Sequence, residues 1–177
     1  RSGAIVPANP EAVELWKIGL SDSFKFVVNN KTEVQLLAES LSLTPYKKNE
    51  YVVELADQER AKVDRRRREW GGQKKVIVGL NTGCASTIAY KKLPIGFHRE
   101  IIEALNGLNE NIQIVLLGGK EDKDRNRQIA MGLDAIQSPT EYGLRDGLCS
   151  VDACDVILSG DSLGMHMGIG LKKWVVA

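Results

Sequence analysis

From residue 74 onward, short β-rich apolar runs alternate with helical stretches of about 10–12 residues, and this alternation most constrains the fold. The expected strands are Val76–Leu80, Ile112–Leu117, Asp134–Ile136, Asp155–Ser159 and Lys173–Ala177. Between them, helices are expected over Phe97–Leu108, Asp122–Leu133 and Gly143–Cys154, with a short one from the Gly160–Ser162 turn to Leu171. Strands separated by helices cannot be joined as hairpins. They pair in parallel through right-handed crossovers, which place helices on both faces.

Residues 74–177 therefore read as a Rossmann-like α/β domain with a parallel sheet. Ligands of such sheets bind beyond the carboxyl ends of the strands, so the informative residues stand just after each strand. Residues 1–73 read differently, as polar helical segments. Leu15–Leu20 is a short apolar patch, and Thr32–Leu43 carries Val34, Leu37, Ala38 and Leu41 at helical spacing, with Thr32 as its N-cap. Tyr51–Val53 is expected as a short strand, and Ala56–Trp70 as a charged helix ending at Gly71-Gly72. The run Lys173–Ala177 looks like a strand with no helix after it, so the α/β domain is expected to be truncated.

Composition removes several functional classes. The 177 residues hold 24 Lys+Arg against 23 Asp+Glu, which gives no basic excess for nucleic acid. No apolar run approaches the ~18 residues of a membrane span, and no signal peptide is evident. Three cysteines, Cys84, Cys149 and Cys154, form neither a CxxC nor a disulfide framework, as expected of a reducing cytoplasm. The four arginines Arg65–Arg68 spread around their helix, and a solvated face is the expected reading.

Three strand ends carry candidate chemistry. After the first strand, residues 81–94 hold small hydroxyl residues, including Ser86 and Thr87, and the lysines Lys91 and Lys92. Hydroxyls and a Lys point charge suit phosphate oxygens, although a polar surface loop has the same composition. Gly118-Gly119-Lys120-Glu121 follows the second strand. Glu121 can accept from sugar or base hydroxyls there, or simply favour a helix start. Asp122-Lys123-Asp124 imitates a metal-holding DxD but opens a helix, where acids are favoured anyway. After the fourth strand, Ser159-Gly160-Asp161-Ser162 leads into a helix whose free N–H groups make an anion site, with His166 one turn in. Asp161 and Ser162 also read as ordinary helix caps.

In order, the chain shows Asn-Thr-Gly, Ser-Thr-x3-Lys-x-Leu-Pro, Leu-Leu-Gly-Gly-x-Glu and Gly-Asp-Ser-x-x-Met-His. This series resembles glycosyltransferase family 9, which contains ADP-heptose:lipopolysaccharide heptosyltransferases. The resemblance covers residues 74–177, with 1–73 similar to the family's linker and interdomain helices. It implies a GT-B architecture and identifies this chain with the second, donor-binding domain.

By that resemblance, Ser86 and Thr87 contact phosphate, and Lys91 neutralises the leaving diphosphate. Glu121 binds ribose hydroxyls, and Asp161 lies near the donor sugar. Ser162 and the backbone through Gly164 cradle pyrophosphate, and His166 is the family's helix-start His. Tyr142 stands where a base could stack. Ser-Leu-Gly replaces the family's common Thr-Gly-x after the Asp. The implied reaction is inverting transfer from a nucleotide sugar such as ADP-heptose, without metal or cofactor. The implied acceptor is lipopolysaccharide core, met through a first domain that supplies the base and is missing here. The implied location is the cytoplasm, at the inner membrane face. Other readings are a different nucleotide-sugar enzyme of epimerase type, or a non-enzymatic module using Arg65–Arg68.

Overall fold

The computed structural model describes residues 3, 5–71, 76–84 and 86–177, the side chains of 86, 88 and 89 excepted. Contacts divide the chain into two units, Arg1–Glu50 and Tyr51–Ala177. The change of style expected near residue 73 falls among residues outside the described ones.

In the first unit, α1 (Ala12–Ile18) and α2 (Glu33–Ser40) flank a wide turn at Phe24–Val28, closed by Asn29 N–H donating to Phe24 O at 2.8 Å. Thr32 caps α2 as expected, its Oγ1 accepting from Gln35 N–H at 3.2 Å. The inward residue of α2 is not among the spaced apolar set. Leu36 is fully buried, while Val34, Leu37 and Leu41 are exposed. Polar bonds orient the helix instead. Lys31 binds both Glu14 and Glu39, and Asn9 Nδ2 donates to Ser40 O at 2.9 Å.

The second unit opens with an extended segment and α3 (Asp57–Trp70). Tyr51–Val53 pairs with no strand, against expectation. Its apolar side chain serves packing: a Cβ placed on Gly170 would lie 2.6 Å from Val53 Cγ2.

Among the described residues five strands follow, all parallel: β1 (Val76–Asn81), β2 (Ile112–Leu117), β3 (Ile136–Gln137), β4 (Val156–Leu158) and β5 (Trp174–Val176). Their spatial order is β3-β2-β1-β4-β5, so the winding reverses between β1 and β4. This is the Rossmann-like sheet the alternation requires.

Period-two alternation decides the faces. Leu80, Ile114 and Leu116 meet Ile102 and Ile129 of α4 (Ile95–Leu108) and α5 (Lys123–Ala130). Ile77, Val115, Leu117 and Ile157 face the other way, toward α6 (Gly143–Asp152) and α7 (Leu163–Gly170). Each fully buried Ile or Leu contributes about 1.5–3 kcal/mol. Gly79 permits this packing, since a Cβ there would lie 2.8–2.9 Å from Leu117, Cys154 and Ile157 side chains.

The arginine run is not simply a solvated face. Arg66 is 5 % exposed and binds Asp146 Oδ2 at 2.7 Å, Asp146 O and Ser150 Oγ. Arg67 pairs with Asp155 at 2.7 Å, and Asp155 in turn accepts from Ile77 N–H. Burial pushes the Asp146 carboxyl up, but hydrogen bonds from Lys62 and Arg66 outweigh it and hold it below its usual range. Arg66 and Arg67 fasten α3 to α6 and to the foot of β4, while Arg65 and Arg68 are exposed as expected.

Candidate functional site

A cavity of about 560 Å³ opens at the carboxyl ends of β1, β2 and β3, against α6 and the start of α7. This is the crevice a winding reversal creates. Its wall includes Asn81, Gly118, Gly119, Glu121, Thr140, Leu144, Ser162 and Gly164.

Asn81 organises the reversal point. Its Nδ2 donates to Ser162 Oγ at 2.8 Å, Ser159 Oγ at 3.1 Å and Gly83 O at 3.0 Å. Ser162 is the N-cap of α7, yet its side chain accepts from no helix N–H. Asn81 holds that hydroxyl, so the first turn of α7 has no side-chain cap, and its N-terminal residues line the cavity. Gly164 is required here, because a Cβ would sit 2.7 Å from the Asn81 carboxamide carbon.

Lys91 and Asp161, 70 residues apart, meet at 2.7 Å. Lys91 closes a 3-10 turn at Ser86–Lys91, and Asp161 directly precedes Ser162. The two side chains are 36 % and 69 % exposed. The hydrogen bond to Asp161 raises the Lys91 ammonium above its usual range, and the same bond lowers the Asp161 carboxyl. His166 adds a smaller favourable charge near Asp161.

Behind the cavity lies a buried polar layer. Asp122 is 1 % exposed, accepts from Gly119 N–H at 2.9 Å and pairs with Lys92 at 2.7 Å. Thr82 Oγ1 bonds Leu117 O at 3.1 Å and also Asn126. Asp122 and Asp124 do not act together. Asp124 faces solvent beside Arg127, so the DxD-like run makes no carboxylate pair. Among the described residues, no three His, Cys, Asp or Glu side chains cluster as a metal site would. Nor is any helix among them long and apolar enough to cross a membrane.

The structure thus brings Glu121, Ser162 and Gly164 to the cavity wall and joins Lys91 to Asp161. Lys91, Asp161, Thr87, Tyr142 and His166 are exposed and outside the lining, and the Ser86 side chain lies outside the described residues. Sequence reasoning gave no individual role to Asn81, placed Lys92 only among the charges of a phosphate-suited loop, and did not single out the Ser138–Thr140 segment. Asn81 was visible as a polar residue closing an apolar strand. The partners of Lys92 lie too far along the chain to be read from spacing.

His98 was also missed. It is 2 % exposed on α4, with Nδ1 at 3.2 Å from Pro94 O and 3.4 Å from Arg125 Nη2. Burial pushes its imidazole below the usual range.

Residues 23–177 match the family model described as glycosyltransferase family 9 (heptosyltransferase). No curated protein sequence matches the chain. Among solved structures, a family 9 glycosyl transferase from Veillonella parvula is similar at TM-score 0.67 and 19 % identity, covering 84 % of this chain and 44 % of that one. E. coli ADP-heptose lps heptosyltransferase II is similar at TM-score 0.58 and 20 % identity, over 71 % and 38 % of the two chains. E. coli heptosyltransferase WaaC, solved with ADP-2-deoxy-2-fluoro heptose, is similar at TM-score 0.57 and 20 % identity, over 83 % and 44 %. The chain spans less than half the length of each of these structures, and at such identities the likeness shows the fold alone.

Proposed function

The chain belongs to glycosyltransferase family 9, and from that membership we infer that it forms the nucleotide-sugar half of an inverting glycosyltransferase. One observation carries this reading. A cavity large enough for a nucleotide lies at the winding reversal, with a carboxylate on one wall, an uncapped helix N-terminus on another, and an exposed Lys–Asp pair beside it. Glu121 accepts from ribose hydroxyls. The diphosphate lies toward α7, whose N–H groups and partial positive charge favour an anion. Lys91 exchanges Asp161 for phosphate. The exposed geometry of the pair makes that exchange easy, because little is desolvated or repacked when it opens.

In the reaction, an acceptor hydroxyl attacks the anomeric carbon, the glycosidic bond to phosphate breaks, and negative charge grows on the departing diphosphate. Lys91 and the first turn of α7 meet that charge where it develops. The hydroxyl proton goes to a base on the acceptor side, and no residue of this chain is given that role. The donor we favour is ADP-heptose and the acceptor lipopolysaccharide core, at the cytoplasmic membrane face. Support comes from the relatives solved with ADP and with an ADP-heptose analogue.

Calorimetric titration with ADP, UDP and GDP tests the site. One diphosphate binds saturably, Lys91→Ala weakens it about tenfold or more, and Asp161→Ala retains it. Absence of binding to the folded parent chain overturns the reading.

A further inference from the structure

Four consecutive residues, Lys91 to Pro94, are each tied to a different part of the second unit. Lys91 reaches Asp161 ahead of α7. Lys92 reaches Asp122 at 2.7 Å, in the loop after β2. The carbonyl of Leu93 accepts from Arg125 of α5, and that of Pro94 lies 3.2 Å from His98 Nδ1 of α4. Of these ties, the Lys92–Asp122 pair is the buried ionic one, with side-chain exposures of 18 % and 2 %.

Asp122 is a hub. Its Oδ2 accepts from Gly119 N–H, two residues before Glu121. The same oxygen lies so close to Gly83 that a Cβ there would be 2.1 Å away. The carboxylate therefore touches the loops after both β1 and β2, while Lys92 joins it to the turn carrying Lys91.

We propose that Lys92 is a positioning residue: through Asp122 it fixes the spacing between the phosphate-side Lys91 and the ribose-side Glu121. This rests on the donor-site reading above. The pair's position argues for this role over direct ligand contact. The Lys92 ammonium is committed to a carboxylate that is 2 % exposed, whereas that of Lys91 meets one that is 69 % exposed, so Lys92 acts through its partner. Loss of the tie lets the turn bearing Lys91 shift, which weakens contacts to the diphosphate and leaves those to the nucleoside.

The test uses the diphosphate that the parent chain binds tightest among ADP, UDP and GDP, together with its nucleoside. Lys92→Met and Asp122→Asn are each expected to weaken the diphosphate about tenfold and the nucleoside less than about twofold. The double variant is expected to be no weaker than the worse single one, since the two residues act as one contact. Lys92→Arg restores most of the affinity. Melting temperatures run alongside, and Lys92→Gln replaces Lys92→Met should the latter not fold.

Two results overturn the proposal. One is parental diphosphate affinity in Lys92→Met. The other is unchanged or tighter binding in Asp122→Asn, which would mean that a released Lys92 binds phosphate itself. Failure of the underlying donor-site reading shows separately, as absence of diphosphate binding to the parent chain.

Discussion

Two ion pairs in the second unit share one chemistry and one distance but sit in opposite environments. Arg66–Asp146 and Lys91–Asp161 are both 2.7 Å long and join residues 80 and 70 positions apart. The first has side-chain exposures of 6 % and 5 %, the second 36 % and 69 %. Arg66 also bonds Asp146 O and Ser150 Oγ and lies 5.7 Å from the Trp70 ring, so no solvent route replaces its partners. Lys91 faces water, and a ligand oxygen can take the place of Asp161. Burial turns the same contact into architecture in one case and leaves it exchangeable in the other.

The largest effect that tests this contrast is on stability. Arg66→Ala leaves Asp146 charged and buried beside Lys62 alone. It is expected to cost about 3–5 kcal/mol in chemical denaturation. Acid sharpens the same point. The folded-state pKa of Asp146 is depressed, so its contribution is present above the ordinary Asp range and lost as pH falls through the folded value. The parent is expected to lose stability below about pH 4, and Arg66→Ala, already destabilised, to lose less further stability over the same range, because its Asp146 carboxyl lacks a partner that depresses it. An Arg66→Ala variant as stable as the parent would break the comparison.

Next comes the exposed pair. Lys91→Ala is expected to leave the denaturation curve in place while weakening diphosphate binding about tenfold or more. A fall in stability matching that of Arg66→Ala would show that the pair holds the fold and is not free to be exchanged.

Much of this architecture was legible in the residues. Val76–Leu80 is an apolar run of strand length and Ile112–Leu117 is one interrupted only at Gln113, close to the pattern of a doubly covered parallel strand. The Ser159–Ser162 turn into α7 could be placed because the Gly punctuates it. What spacing could not reveal were the partners. Lys92 and Asp122 stand 30 residues apart on different loops, and Arg66 finds Asp146 only after α3 docks on α6. The arginine run was read from its own helix, where four successive positions point in four directions. One of those directions meets a buried carboxylate supplied by a distant helix. Leu36 misled in the same way. Spacing within α2 favoured Val34, Leu37 and Leu41, while Lys31 and Asn9 turn the helix so that Leu36 is buried.

The smallest effect asks whether exposure alone makes a bond dispensable. Thr32 is an exposed contact in the first unit, where its Oγ1 accepts from Gln35 N–H at the start of α2. Unlike Lys91, it satisfies a backbone donor that the helix leaves without an internal partner. Thr32→Ala is expected to cost about 0.5–1 kcal/mol, read as faster hydrogen exchange at the Gln35 amide, with Thr32→Ser restoring protection. If Thr32→Ala exchanges at the parental rate, water replaces the hydroxyl without loss, and exposure by itself decides which bonds hold the fold. If it exchanges faster, the deciding property is whether the bond closes a backbone donor. Lys91–Asp161 is then exchangeable because it joins two side chains in water and completes no element of the fold.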